Sequence, residues 1–225
     1  MANRNCNLQP VRIGPQRLKG VLGLPRGAQG LVIFAHGSGS GRLSPRNNHV
    51  AGGLREGGLG TLLIDLLTPE EDIDRRNVFD IDLLAARLSY ATEWIARNRS
   101  TEVLRVGYFG ASTGAAAALV AATQANPDID AVVCRGGRPD LAGEALEFVR
   151  APTLLLVGSL DVPVIELNEK ALARLRCKKE LKIVCGGGHL FEEPGTLDEV
   201  VKHAQNWFLT YLTGVEKEHE RHVQA

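Results

Sequence analysis

A serine with a glycine two residues away on each side, Gly110-Ala-Ser112-Thr-Gly114, is the strongest chemical feature of the chain. An apolar run ending at Phe109 precedes it and an alanine-rich stretch follows, which reads as strand, tight turn and helix. A serine on such a turn lifts its hydroxyl above the edge of a sheet. The flanking glycines remove the Cβ atoms that would clash there. The first turn of the new helix then points backbone N–H groups toward developing negative charge. That geometry suits nucleophilic attack on an acyl carbonyl. The plainer alternative is a turn of small residues that lets a helix pack closely on a sheet.

A serine nucleophile needs a base. Of six histidines, His189 has the best setting, in the loop Gly186-Gly-Gly-His189-Leu-Phe just past an apolar run. His36 also ends such a run but precedes Ser112, and its plainer role is to brace a loop. His49, His203, His219 and His222 fall on expected helices or the tail. A third group must fix the base's tautomer and stabilise its protonated form. Asp161, in Val157-Gly-Ser-Leu-Asp161, is favoured because the order Ser112, Asp161, His189 suits a nucleophile on a strand-to-helix turn. Asp140, in Arg135-Gly-Gly-Arg-Pro-Asp140, is the competitor and has the simpler role of capping a helix. Oxyanion donors are expected from the backbone N–H groups of Thr113 and Ser38, the latter in the glycine-rich run His36–Gly41. A phosphate-binding loop is the rival reading of that run, but neither GxxxxGK[ST] nor a complete dinucleotide fingerprint is present.

Arg42, Arg46, Arg135 and Arg138 all fall near strand ends. They are candidates for gripping a carboxylate or phosphate on the substrate, or else for tying loops together. The charged stretch 68–77 is either a short lid or an ordinary solvated connection. No metal site is expected, since HExxH and paired Cys/His motifs are missing and His219-x-x-His222 lies in a polar tail. Cys185 ends an apolar run and is expected to be buried, whereas Cys177 is open to exposure.

The elements that must position these groups follow from periodicity. Near-continuous apolar runs at Leu31–Ala35, Thr61–Leu67, Val103–Phe109, Ile129–Cys134, Thr153–Val157 and Leu181–Cys185 suit parallel strands covered on both faces. The first, third, fifth and sixth of these are expected to be central, with Val106, Val132 and Leu155 buried. Between them, 79–98 carries Ile81, Leu84, Leu88, Ala91 and Ile95 on one helical stripe, with Asp80 as a candidate cap. The segment 114–125 is a second helix. A third begins at the capping-box pattern Thr196-Leu-Asp-Glu199, with Gly214 as a candidate C-cap. Pro10–Ile13 and Arg17–Leu24 read as an antiparallel edge. The pattern predicts one doubly wound α/β domain over 1–225, with helices on both faces, no large cap domain and a polar tail at 215–225.

Composition narrows the partners. Lys plus Arg equals Asp plus Glu at 26 each, so net charge is zero and bulk attraction to nucleic acid or an acidic membrane is not expected. The longest apolar runs fall short of a membrane span. Four cysteines without CxxC spacing, and no secretory segment, suggest free thiols and a cytoplasmic location. A small-molecule acyl substrate is the expected partner, and nothing here speaks against a homodimer.

Taken in order, HGSGSG at 36–41, GASTG at 110–114, Asp161 and GGGHLF at 186–191 resemble the dienelactone hydrolase-like branch of the α/β-hydrolases, over roughly residues 11–213. The resemblance implies an α/β-hydrolase fold, a Ser112–Asp161–His189 triad, an open site for small substrates and no cofactor. Dienelactone hydrolases proper carry a cysteine nucleophile. With Ser112 the chain is more similar to small serine-bearing members, some of them joined to phosphoribosyltransferases. The implied chemistry is cleavage of an ester, thioester or lactone through an acyl-serine. An acyltransferase using the same triad, or a binding protein on a hydrolase fold, are the alternatives.

Overall fold

The computed structural model describes residues 6–213. Eight strands form one mixed sheet: β1 (Asn7–Ile13), β2 (Leu18–Leu24), β3 (Leu31–Ala35), β4 (Gly60–Ile64), β5 (Val106–Ala111), β6 (Ala131–Arg135), β7 (Thr153–Gly158) and β8 (Lys179–Val184). Their order is β1-β2-β4-β3-β5-β6-β7-β8. Only β2 runs antiparallel to its neighbours β1 and β4, and β3 through β8 are mutually parallel. Six helices accompany them: α1 (Pro45–Glu56), α2 (Pro69–Asp72), α3 (Ile81–Arg97), α4 (Thr113–Gln124), α5 (Val162–Arg174) and α6 (Thr196–Leu212). A 3-10 segment, Pro139–Phe148, follows β6 and kinks at Gly143.

Strand alternation divides the core in two. In β3, Leu31, Ile33 and Ala35 join the layer under α3 and α4, while Val32 and Phe34 join the layer under α1 and α6. Both layers are buried, which is why the sequence of β3 is apolar at every position rather than alternating. In α3, Leu84, Leu88, Ala91 and Ile95 are buried, and Asp80 caps the helix by accepting from the Leu83 N–H at 3.0 Å. Thr113 to Ala121 is buried without interruption, which a run of small side chains allows where one helix is enclosed on all sides. Val106, Val132 and Leu155 are buried as the pattern requires.

Several expectations are corrected. Val103 lies outside β5 and is 85% exposed, because the chain turns through 101–104 before entering the sheet. Strand β4 stops at Ile64 rather than Leu67. β8 is an edge strand, not a central one, and Cys185 just beyond it is exposed. Thr196 does not cap α6. Gly195 does, in a left-handed conformation, while the Thr196 hydroxyl turns back to the Glu193 carbonyl. A capping box instead forms in the charged stretch 68–77, where Thr68 and Glu71 satisfy each other's backbone N–H groups at the start of α2. The Gly214 cap and the tail 215–225 lie outside the described residues.

Candidate active site

Ser112 occupies the junction of β5 and α4 with φ 51° and ψ −122°, a backbone conformation that side-chain-bearing residues rarely adopt. The neighbours show why the glycines are needed. A Cβ on Gly110 would lie 2.5 Å from the Ala115 Cα, and one on Gly114 would lie 2.2 Å from the Ala35 carbonyl oxygen. Gly37 in turn lies so close that a Cβ there would come within 2.8 Å of the Ser112 Cβ. The glycine-rich loop after β3 therefore lies directly against the serine.

The turn 135–138 after β6 holds Ser112 from the other side. The Ser112 N–H donates to the Arg135 carbonyl at 3.4 Å, and the Arg138 N–H donates to the Ser112 carbonyl at 3.0 Å. The same turn abuts the histidine loop: Gly136 has φ 50°, and a Cβ there would sit 2.8 Å from the His189 carbonyl oxygen. Ser112 and His189 thus pack on one four-residue turn.

His189 Nδ1 lies 2.7 Å from Asp161 Oδ2, a short charge-assisted contact. The imidazole is 40% exposed and the carboxylate only 13%, so the acid is sheltered while the ring faces the open edge. Two features unread in the sequence set this pair. A Cβ on Gly158, at the end of β7, would meet the Gly187 carbonyl oxygen at 2.1 Å, so the loops bearing Asp161 and His189 touch backbone to backbone. Glu193 accepts from the Gly188 N–H at 2.9 Å, and that backbone hydrogen bond lowers its carboxyl pKa. A glutamate four residues past the histidine was the available signal. Asp140, the competing acid, is taken up by a two-pronged pair with Arg138 at 2.9 and 2.8 Å.

Thr113 is the first residue of α4, and among the described residues neither its N–H nor that of Ser38 donates to a protein acceptor. His36 fixes the loop that carries Ser38. Its Nε2 accepts from the Leu66 N–H at 2.9 Å, so Nδ1 carries the hydrogen and donates to the Gly37 carbonyl at 2.9 Å. Burial, opposed by that backbone bond and by the charges of Asp65 and Asp72, lowers its pKa and keeps it neutral.

No family model matches the sequence. The crystal structure of a dienelactone hydrolase from Anabaena variabilis superposes with a TM-score of 0.87 at 55% identity, covering 92% of this chain and 98% of that one. The chain belongs to the dienelactone hydrolase-like branch of the α/β-hydrolases. An esterase of Pyrococcus furiosus shares the hydrolase fold with a TM-score of 0.74 at 16% identity, covering 93% of this chain and 95% of that one. A Mycobacterium tuberculosis protein named as a phosphoribosyl transferase is 56% identical over 204 residues, which are 91% of this chain and 46% of that protein. The hydrolase described here spans about half the length of the curated relatives it matches.

The four candidate arginines of this hydrolase are already engaged. Arg42 pairs with Asp65, Arg46 with Glu192 at 2.9 Å, and Arg138 with Asp140. Arg135 is buried, donates to the Leu190 carbonyl at 3.4 Å and lies over the Phe191 ring. Burial, then the nearby Arg46 charge, lowers its pKa to about 10, which leaves it charged at neutral pH. A cleft of about 460 Å³ opens on the same sheet edge between the 39–46 loop and Leu67–Pro69, but neither Ser112 nor His189 lines it. Among the described residues no cluster of His, Cys, Asp or Glu could hold a metal ion, and no helix is long and apolar enough to cross a membrane.

Proposed function

We propose that this hydrolase cleaves a small carboxylic ester, thioester or lactone through an acyl-Ser112 intermediate. The 2.7 Å contact between Asp161 and His189, with a serine held at positive φ on the turn that also abuts the histidine loop, carries the reading. Ser112 Oγ attacks the acyl carbon while His189 Nε2 takes its proton. Asp161 holds the Nδ1–H tautomer and stabilises the imidazolium. The N–H groups of Thr113 and Ser38 receive the negative charge that develops on the carbonyl oxygen. The tetrahedral adduct collapses, His189 returns the proton to the leaving alcohol or thiol, and the acyl group stays on Ser112. In a lactone the leaving alcohol remains tethered to that acyl group. Water, deprotonated by His189, then attacks the acyl-serine, and the carboxylic acid leaves as Ser112 regains its proton. This sequence uses no cofactor or metal.

We further propose that residues 1–225 act as one hydrolase domain on small molecules in the cytoplasm. The test is a fluorophosphonate probe together with a panel of activated esters. Labelling and turnover in the wild type, both lost in Ser112→Ala, support it. Turnover that persists in Ser112→Ala overturns it. Phosphoribosyl transfer, raised by the name of the longer relatives, is assayed alongside with phosphoribosyl pyrophosphate and nucleobases, and no product is expected.

A further inference from the structure

Large exposed apolar side chains gather on one edge of this molecule. Leu43, Leu160 and Leu190 lie on the loops after β3, β7 and β8, Leu141 lies early in the 3-10 segment after β6, and Val162 opens α5, all following the strand ends where Ser112 also sits. Leu160 is 65% exposed and Val162 58%, and they flank Asp161 directly. Leu190 follows His189, and the Leu160 N–H donates to the Gly187 carbonyl at 2.9 Å, which ties these two loops together. Leu141 is joined to the serine through Arg138, whose carbonyl accepts from the Leu141 N–H at 3.1 Å. Meanwhile four cations of this edge are spent: Arg42, Arg46 and Arg138 each face a carboxylate, and Arg135 is buried on a backbone carbonyl. A substrate carboxylate seeking Arg42, Arg46 or Arg138 would have to displace a protein carboxylate, whereas a hydrocarbon group would only displace water from leucine and valine.

We infer that the substrate is an uncharged ester or thioester whose alkyl or aryl group lies on an apolar ledge formed by Leu160, Val162, Leu190 and Leu141. This rests on the acyl-serine reading above and adds the class of substrate. The ledge is open to solvent, so a methylene laid on it is covered on one side. Full burial of a methylene corresponds to about fourfold in binding, and half-coverage to about twofold. Leu160, Val162 and Leu190 are specificity-determining residues in this picture, acting on the apolar group rather than on the reacting carbonyl.

The test holds the leaving group constant. Values of kcat/KM are measured for the p-nitrophenyl esters of acetate, butyrate and hexanoate, and for mono-p-nitrophenyl adipate, which has the hexanoate length and a terminal carboxylate. Wild type is expected to gain about twofold per added methylene, roughly tenfold or more from acetate to hexanoate, and to prefer hexanoate over adipate by at least about tenfold. In Leu160→Asn and Leu190→Asn the hexanoate-to-acetate ratio is expected to fall toward unity, with melting temperatures reporting that the fold is intact. A flat or falling chain-length profile in wild type overturns the inference, as does adipate cleaved as fast as hexanoate, or a ratio unmoved in both variants. In each of those cases esters are still cleaved and the acyl-serine reading stands. No cleavage of any ester and no probe labelling of Ser112 would remove both.

Discussion

The Arg138 backbone N–H donates to the Ser112 carbonyl at 3.0 Å, and the Arg138 guanidinium grips Asp140 with two hydrogen bonds. The residue that competes with Asp161 for the role of catalytic acid is therefore linked to the serine through structure. Replacing Asp140 by Asn weakens a partly exposed ion pair, and esterase activity is expected to fall less than about tenfold, with stability lowered by up to about 1 kcal/mol. Asp161→Asn favours the wrong imidazole tautomer and is expected to lower kcat by as much as about 10⁴, the magnitude seen when a protease triad loses its aspartate. Steady-state kinetics of both variants on one activated ester check the pair. A crippled Asp140→Asn beside an unaffected Asp161→Asn would reverse the assignment.

Ser112 holds φ 51° at the cost of backbone strain, and that strain is separable from its hydroxyl. Ser112→Gly and Ser112→Ala both remove the proposed nucleophile. Only glycine relaxes the turn. The glycine variant is expected to be more stable than the alanine variant by about 1 kcal/mol, a difference of about 2–4 °C in Tm for a chain of this size. Calorimetry of the two inactive proteins reads the difference directly, and equal Tm values would mean that the elbow stores no strain.

Gly158→Ala tests the backbone contact between the Asp161 and His189 loops. The new methyl group would meet the Gly187 carbonyl oxygen at 2.1 Å, so one loop must move. We expect a loss of about 1–3 kcal/mol in stability. A 1 Å displacement of the histidine should cost about 10² in kcat, although every catalytic side chain is retained. Unchanged kcat in a destabilised protein would show that the dyad tolerates the shift.

His36 makes stability depend on pH. Its folded pKa is lowered, chiefly by burial, below the ordinary value of 6.5, so the unfolded chain binds a proton more readily than the native state does. The His36 contribution is fully present above that ordinary value and is lost as pH falls from it through the folded pKa. Protonation would also remove the acceptor that holds the Leu66 N–H. Melting temperature is expected to drop between about pH 7 and pH 5 in wild type. The slope should be shallower in His36→Gln, which has no imidazole at this position to titrate.

Much of the site was legible because steric demands leave few residue choices. Gly110 and Gly114 stand where a Cβ would strike backbone, and that necessity is visible as GxSxG between an apolar run and alanines. The pairing of Asp161 with His189 was expected from chain order, while the role of Gly158 was not, since its partner Gly187 comes from a loop remote in sequence. Helix α1 carries only a short apolar stripe, Val50, Ala51 and Leu54, because Gly53 within it and Gly57 at its C-cap serve the contact with α6. A Cβ on Gly53 would press into Val201 at 2.3 Å, and one on Gly57 into Gln205 at 1.9 Å. Residues that lower helix propensity are placed there by tertiary packing. The rank of β8 in the sheet was likewise hidden. Leu181, Ile183 and Cys185 read as core, yet Ile183 is 45% exposed, since apolar spacing reports a strand but not how many neighbours it has.

That outermost position has a bearing on self-association. Beyond β8 no further strand is paired among the described residues, so its outer row of peptide groups has no ladder partner there. Lys179, Glu180 and Lys182 crowd this short strand, with Lys182 and Glu180 joined at 2.6 Å. A second copy that tried to lengthen the sheet here would have to strip water from those ammonium and carboxylate groups, and lysine-rich borders of this kind deter ribbon growth. Edge-to-edge pairing of two copies of the hydrolase at β8 is thereby disfavoured.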